Sequence, residues 1–166
     1  MAGPHTLAET ERAAEARIAG LRLDFESLHV VSNLFRAANA VRNHMERTVL
    51  TPADLTWTAF VVLWVTWIWE STETRVIAEE IGVSKATLSG VLTTLEKRGL
   101  VTRTKSEEDG RLVLVELTPS GLRLIKKLFP RINDAESFAT RLMPNGSKED
   151  TAELLRLMVL AVETSS

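Results

Sequence analysis

A chain of 166 residues, 45% hydrophobic and 25% charged, has the make-up of one ordinary globular domain, and its formal charge of -2 excludes a uniformly basic coat for nucleic acid. It has no cysteine, which excludes disulfides, zinc knuckles and thiol-based redox sensing by this chain and suits a cytoplasmic location.

Acids and arginines occupy the opening residues where a secretory signal needs an apolar core, so no targeting segment is expected. Residues 1–23 read as an N-terminal helical arm. From Leu7 to about Gly20 it is rich in Ala, Glu and Arg with only a thin apolar stripe, and it needs a partner surface to be stable. A stronger helix follows between Asp24 and Arg47. Leu28, Val31, Phe35, Ala38 and Met45 recur near heptad spacing there, and Leu34 and Val41 widen the stripe beyond what a lone arm would carry. Thr51-Pro52 and Leu55-Thr56 both suit a helix start, the first by its proline and the second by its capping threonine; both remain open. Leu55 to Trp69 carries no charge, yet it falls short of the roughly twenty residues that cross a bilayer. Asp54 and Glu70 close it, which predicts a buried helix and no membrane span. The polar stretch Glu70 to Glu73 predicts a turn or one short strand before helical spacing resumes at Thr74.

The run from Thr74 to Gly99 holds two helical patterns separated by Gly82-Val83-Ser84. Ala78 lets a second helix cross closely, Gly82 ends the first helix and Ser84 caps the second. Leu88, Val91, Leu92 and Leu95 then face Val76, Ile77 and Ile81. Ala86, Ser89, Gly90, Thr93 and Lys97 are left on an outer face of small, hydrogen-bonding side chains suited to a DNA major groove, with Lys85 and Thr87 beside its start. Gly90 is expensive inside a helix, by about 1 kcal/mol against alanine, and calls for close packing or close approach. Lys85, Lys97, Arg98, Arg103 and Lys105 stand against the single acid Glu96 between positions 85 and 105. That local excess of cations could meet phosphates, or simply be a solvated helix end.

After Gly99, Leu100 and Val101 begin a strand, and Val113, Val115 and Leu117 share one face of its return. The tip from Glu107 to Arg111 would overhang the DNA backbone, with Arg111 entering the minor groove. Asp109 would either orient that guanidinium or serve only as a turn former. Beyond it, Thr118-Pro119 starts a long helix to about Met143, which Pro130 would kink. Pro144-Asn145-Gly146 breaks the chain. Ser147 followed by Asp150 predicts the cap of a last helix with Leu154, Leu155, Met158 and Val162 on one side.

These residues resemble the multiple antibiotic resistance regulator (MarR) family of winged-helix transcription factors. That family's wing pattern stands complete as DGRLVLVELT from Asp109 to Thr118, Gly121 fits the glycine that follows, and LEKRGLVTR, Leu95 to Arg103, is similar to its recognition-helix exit. The order of elements matches from about Asp24 onward; residue-level similarity is strong from Ala78 to Gly121. The resemblance implies a mainly α fold with a small β-hairpin wing, in which residues 55–118 form a winged helix-turn-helix lobe and residues 24–54 with 119–166 form a dimerisation region. It further implies a homodimer on double-stranded DNA at a pseudo-palindromic operator, mostly acting as a repressor released by a small phenolic or other organic anion. Thr93-Thr94 departs from the acid-arginine pair many relatives carry there, which removes one expected phosphate contact.

Four tryptophans, Trp57, Trp64, Trp67 and Trp69, lie on one predicted helix and at 100° per residue cannot share one face, so some of them suit a pocket wall or the dimer interface, or they are simply core and interface packing. His29, Asn33 and Arg36 share a helical face able to hold an organic anion, or are simply polar side chains facing water. No metal site, cofactor or enzymatic signature is evident. The rival from another class is a winged-helix protein-interaction module without DNA binding.

Overall fold

The computed structural model describes residues 4–106, 109 and 111–164, so Glu107, Glu108 and Gly110 of the expected wing tip lie outside the described residues. The chain forms two compact units, residues 1–43 and 44–166.

In the first unit, α1 (Leu7–Ile18) opens on a reciprocal capping box: the Thr6 backbone N–H donates to Glu9 at 2.7 Å and the Glu9 N–H donates to Thr6 Oγ1 at 3.2 Å. The next helix, α2 (Phe25–Met45), is capped by Asp24, whose carboxylate accepts the Ser27 N–H at 3.0 Å. The two helices are joined by polar contacts. Asn33 Nδ2 donates to Glu11 at 2.6 Å, and His29 Nε2 lies 3.1 Å from Glu15 Oε1 without the alignment of a hydrogen bond.

Where a helix to Arg47 is expected, the α-helix stops at Met45 and the chain continues as one π turn, Glu46–Leu50, and a 3-10 turn, Thr51–Ala53. The wider turn brings Met45, Val49 and Leu50 into the core together. Both candidate helix starts are used: Pro52 lies in the 3-10 turn, and Thr56 caps α3 (Trp57–Trp69) by accepting the Ala59 N–H. Helix α3 is buried on several sides, through Phe60, Val62, Leu63 and Val65, and forms the central post of the second unit.

Around it stand α4 (Thr74–Ile81), α5 (Lys85–Lys97) and α6 (Pro119–Ala139), with Ile77, Leu88, Leu92, Leu95, Ile125 and Leu128 forming the floor of the core. The short strand is present as β1 (Thr72–Glu73). It pairs antiparallel with β3 (Val113–Leu117), which pairs on its other edge with β2 (Val101–Lys105). Val101 and Val115 are buried, so the sheet packs one face on the core. Thr118 pins the base of the hairpin to α6: its hydroxyl donates to the Gly99 carbonyl at 2.6 Å and accepts the Gly121 N–H at 3.0 Å.

Helix α6 runs through Pro130 and ends at Ala139, four residues before the expected Met143. Helix α7 (Ser147–Glu163) corrects the expected cap. Gly146, left-handed at φ 83°, takes the N-cap position, and Ser147 turns its hydroxyl back to the Pro144 carbonyl at 2.8 Å. Glycine reaches that conformation without the steric cost serine would bear. Among the described residues no single helix is long and apolar enough to cross a membrane.

Candidate nucleic-acid interface

Helix α4 ends as its sequence requires. Gly82 is left-handed (φ 64°, ψ 38°) and its N–H is shared by the carbonyls of Ala78 and Glu79, a turn that would strain any residue with a Cβ. Ser84 then caps α5, accepting the Thr87 N–H at 3.1 Å, and its hydroxyl lies 2.9 Å from that of Thr87. Leu88, Leu92 and Leu95 are buried with Val91 half-buried, and this rotation leaves Lys85, Ala86, Thr87, Ser89, Gly90 and Lys97 exposed. Thr93 is half-buried and its hydroxyl donates to the Ser89 carbonyl at 2.9 Å. No hydrogen-bonding partner restrains the Ser89 hydroxyl among the described residues, so it is free to read an external donor or acceptor.

Gly90 has no packing reason among the described residues. A Cβ built on it meets nothing within 4 Å there. Its cost to the helix is therefore not offset by packing among the described residues.

The five cations separate into two groups. Arg103, half-buried on β2, donates through Nε and Nη2 to the single Oε2 of Glu96, the Nε contact being 3.2 Å. Arg98 is drawn to the turn before α3, where it donates to the backbone carbonyls of Ala53 and Asp54. Lys85, Lys97 and Lys105 are exposed and make no ion pair among the described residues. The cations of this segment left without an ion pair among the described residues are thus the three lysines together with Arg111.

Two hydrogen bonds from Arg103 hold Glu96 below its ordinary value of 4.5, outweighing the opposing effect of burial. A depressed carboxylate contributes stability at pH above its unfolded value, and that contribution is lost as pH falls through the folded value. Glu96→Gln is accordingly expected to lower the urea midpoint near pH 7 and to leave it close to wild type well below pH 4.5. An equal deficit at both pH values would show that the pair adds nothing.

At the wing, the Asp109 carboxylate accepts the Arg111 backbone N–H at 2.9 Å, and no ion pair joins the two side chains. Of the two roles considered for Asp109, the turn-forming one is seen. It leaves the Arg111 guanidinium exposed and unpaired among the described residues. Arg111 borders a groove of about 370 Å³ between the wing and α5, together with Lys85, Ser89, Arg103, Arg75 and Glu73. Glu73 precedes the two-helix segment and is placed by the pairing of β1 with β3, and Arg75, in the first turn of α4, has no local sequence signal that singles it out.

The ligand candidates fall in different units. His29 and Asn33 are engaged by Glu15 and Glu11 of α1, and Arg36 is exposed. Trp64 stacks on Phe129 of α6 at 4.6 Å and 7°, Trp67 meets the same ring edge-on at 5.6 Å, and Trp57 lies apart, tilted against Phe60 at 6.0 Å. Phe129 has no partner in the sequence pattern to signal it; only the packing of α6 on α3 brings it to the tryptophans.

A family model described as MarR family matches residues 55–113, which span the whole of α3 to the start of β3. The HTH-type transcriptional regulator YwaE of Bacillus subtilis is 38% identical over 136 residues, covering 82% of this chain and 78% of that protein. The chain belongs to the MarR family. This MarR-family protein is a transcriptional regulator of the winged-helix, DNA-binding type, and its relatives are regulators rather than enzymes. In structure it is similar to BpsR of Bordetella bronchiseptica, whose DNA binding is regulated by 6-hydroxynicotinic acid: TM-score 0.72, 25% identity, 78% of this chain and 98% of that one covered. A cysteine-to-serine mutant of MarR from E. coli, solved with operator DNA, shares the fold at TM-score 0.71 and 22% identity, covering 81% of this chain and 96% of that one.

Proposed function

We propose that this MarR-family regulator is a cytoplasmic homodimer that places two α5 helices in successive major grooves of a pseudo-palindromic operator and represses transcription until a small organic anion releases it. The observation that carries the reading is the outer face of α5: exposed, built from Ala86, Ser89 and Gly90, with Lys85 and Arg111 lining one groove with Ser89, Lys97 exposed further along the helix and Lys105 exposed on β2. A helix with small side chains approaches base edges closely, and unpaired cations release counterions from phosphate. Thr93 lies at the edge of that face; Ser84, Thr87 and Asp109 hold its geometry through their caps and turn.

Dimerisation is supported by apolar surface left exposed on the helices outside the winged lobe. Phe35 of α2 is 66% exposed, and Leu154, Leu157, Val159 and Val162 of α7 are all more than half exposed. Large apolar side chains in such runs are characteristic of a surface completed by a partner. For the effector, the half-buried Trp64 and Trp67 against Phe129 offer aromatic area for a planar ring. That similar BpsR responds to 6-hydroxynicotinic acid supports an aromatic acid as the chemical class.

Genome-wide footprinting followed by titration of the protected fragment and a scrambled duplex tests the reading. A regulator binds the first far more tightly and loses affinity steeply with salt; equal affinity for both would favour a winged-helix module that recognises protein instead. Gly90→Ala separates folding from reading. It is expected to raise stability by up to about 1 kcal/mol, because the helix gains a better former and, among the described residues, the new methyl meets no neighbour outside its own helix backbone. The same variant is expected to weaken operator binding several-fold. Unchanged binding would mean that DNA does not approach Gly90.

A further inference from the structure

Arg98 belongs to the cationic run by sequence, yet its side chain is only 29% exposed and is engaged by the turn before α3. Nη2 donates to the Ala53 carbonyl at 3.1 Å, Nη1 donates to the Asp54 carbonyl, and the Asp54 carboxylate lies 3.7 Å away. The acceptors sit 44 and 45 residues earlier in the chain, in a turn whose end is conformationally unusual. Asp54 is left-handed (φ 54°, ψ 46°) at the close of the 3-10 turn, and its N–H is tied to the Thr51 carbonyl at 3.0 Å. Two carbonyls at the end of a short helical turn have no partner along the backbone, and a planar guanidinium is shaped to accept both at once.

The position of Arg98 in α5 gives this contact leverage. It is the C-cap residue, and Gly99, left-handed at φ 65°, releases the chain into the wing immediately afterwards. The near end of α5 is held by the Ser84 cap; the far end is held to the chain before α3 by Arg98. Between them, the open side of the helix lines a groove with Asp54, Thr56, Thr87, Gly90, Thr94 and Arg98. A rotation of α5 about its buried leucines would tilt the reading face, and the fork of Arg98 opposes it.

We propose that Arg98 is a positioning residue and not a phosphate contact: its guanidinium locks the C-terminal end of α5 to the Ala53–Asp54 turn and sets the angle at which Ala86, Ser89 and Gly90 meet DNA. The lock is a property of the free protein; its consequence for specificity rests on the DNA-binding reading above. An ammonium keeps the charge but cannot span two carbonyls, so Arg98→Lys distinguishes the two roles.

The full-length chain carrying Arg98→Lys or Arg98→Gln is titrated with the footprinted promoter fragment and with a scrambled duplex of equal length, across a salt series. Both variants are expected to lose roughly tenfold in affinity for the promoter fragment, to keep the wild-type affinity for the scrambled duplex, and to keep the wild-type salt slope. A protein that is merely less folded would lose both affinities together. Rescue by lysine, with glutamine alone weakening both duplexes and lowering the slope by about 1, would make Arg98 a phosphate contact and overturn the proposal. Wild-type behaviour in both variants overturns it as well.

Hydrogen exchange without DNA decides the lock independently. The amides of Asp54 and Leu55, bonded to the carbonyls of Thr51 and Leu50, are expected to exchange faster in both variants while the core of α3 keeps its protection. Unchanged exchange there removes the lock whatever the DNA results are. Should the wild type fail to distinguish the two duplexes, the DNA reading falls and the exchange result alone decides the lock.

Discussion

Replacing Gly121 with alanine is expected to destabilise the protein by about 2–3 kcal/mol, an effect out of proportion to one methyl group. A Cβ on Gly121 would stand 2.0 Å from the Leu100 carbonyl oxygen and 3.0 Å from its carbon. Neither can yield easily. That oxygen accepts the Thr118 N–H at 3.0 Å, and Leu100 is itself buried one residue before β2 begins. Relief would require α6 to withdraw from the base of the wing, breaking the Thr118 hydroxyl bridge between the Gly99 carbonyl and the Gly121 N–H. Urea denaturation checks it with Ser120→Ala as control, since Ser120 is exposed on the neighbouring position of the same helix. The control is expected to stay within about 0.5 kcal/mol of wild type. A Gly121→Ala midpoint matching that control would show that the contact relaxes freely.

The second large effect is on binding. Arg111→Ala is expected to weaken promoter affinity by tenfold or more and to lower the salt slope by about 1, with stability unchanged. The fold loses nothing in this variant because the bond that shapes the turn runs from the Arg111 backbone N–H to Asp109, and alanine keeps that N–H. The guanidinium itself is exposed and unpaired among the described residues, so its charge is available to the narrow groove where negative potential concentrates. Asp109→Ala should differ in kind: it removes the acceptor of that N–H and loosens the turn, lowering affinity while the salt slope remains. Equal salt slopes for wild type and Arg111→Ala would place the wing off the DNA.

Much of the scaffold is legible without coordinates. Gly82 ends α4 and Ser84 caps α5 because each acts within a few residues of itself, and Leu88, Leu92 and Leu95 fall on one side of α5 because 3.6-residue periodicity is a local property. Local competition also explains the exception at α7. Ser147 and Gly146 both suit the start of that helix, and the position falls to glycine because the Pro144 carbonyl claims the serine hydroxyl. The end of α2 departs from its periodicity for a different reason: a π turn at Glu46–Leu50 is selected by burial of Val49 and Leu50 against other elements, which periodicity along one helix does not register.

By itself, then, the sequence determined which helices form, which face of α5 is small and open, and that a hairpin with Arg111 follows it, since each depends on neighbours within one or two turns of chain. Which cations stay unpaired among the described residues depends on packing between distant segments. Lys85, Lys97, Arg98, Arg103 and Lys105 are equivalent as a string of charges, and they part company because Glu96 and the carbonyls of Ala53 and Asp54 come within reach only when the chain is packed. A guanidinium is long enough and has donors enough to be captured by whatever folding brings near it, so its role is a property of the packed chain rather than of the segment that carries it.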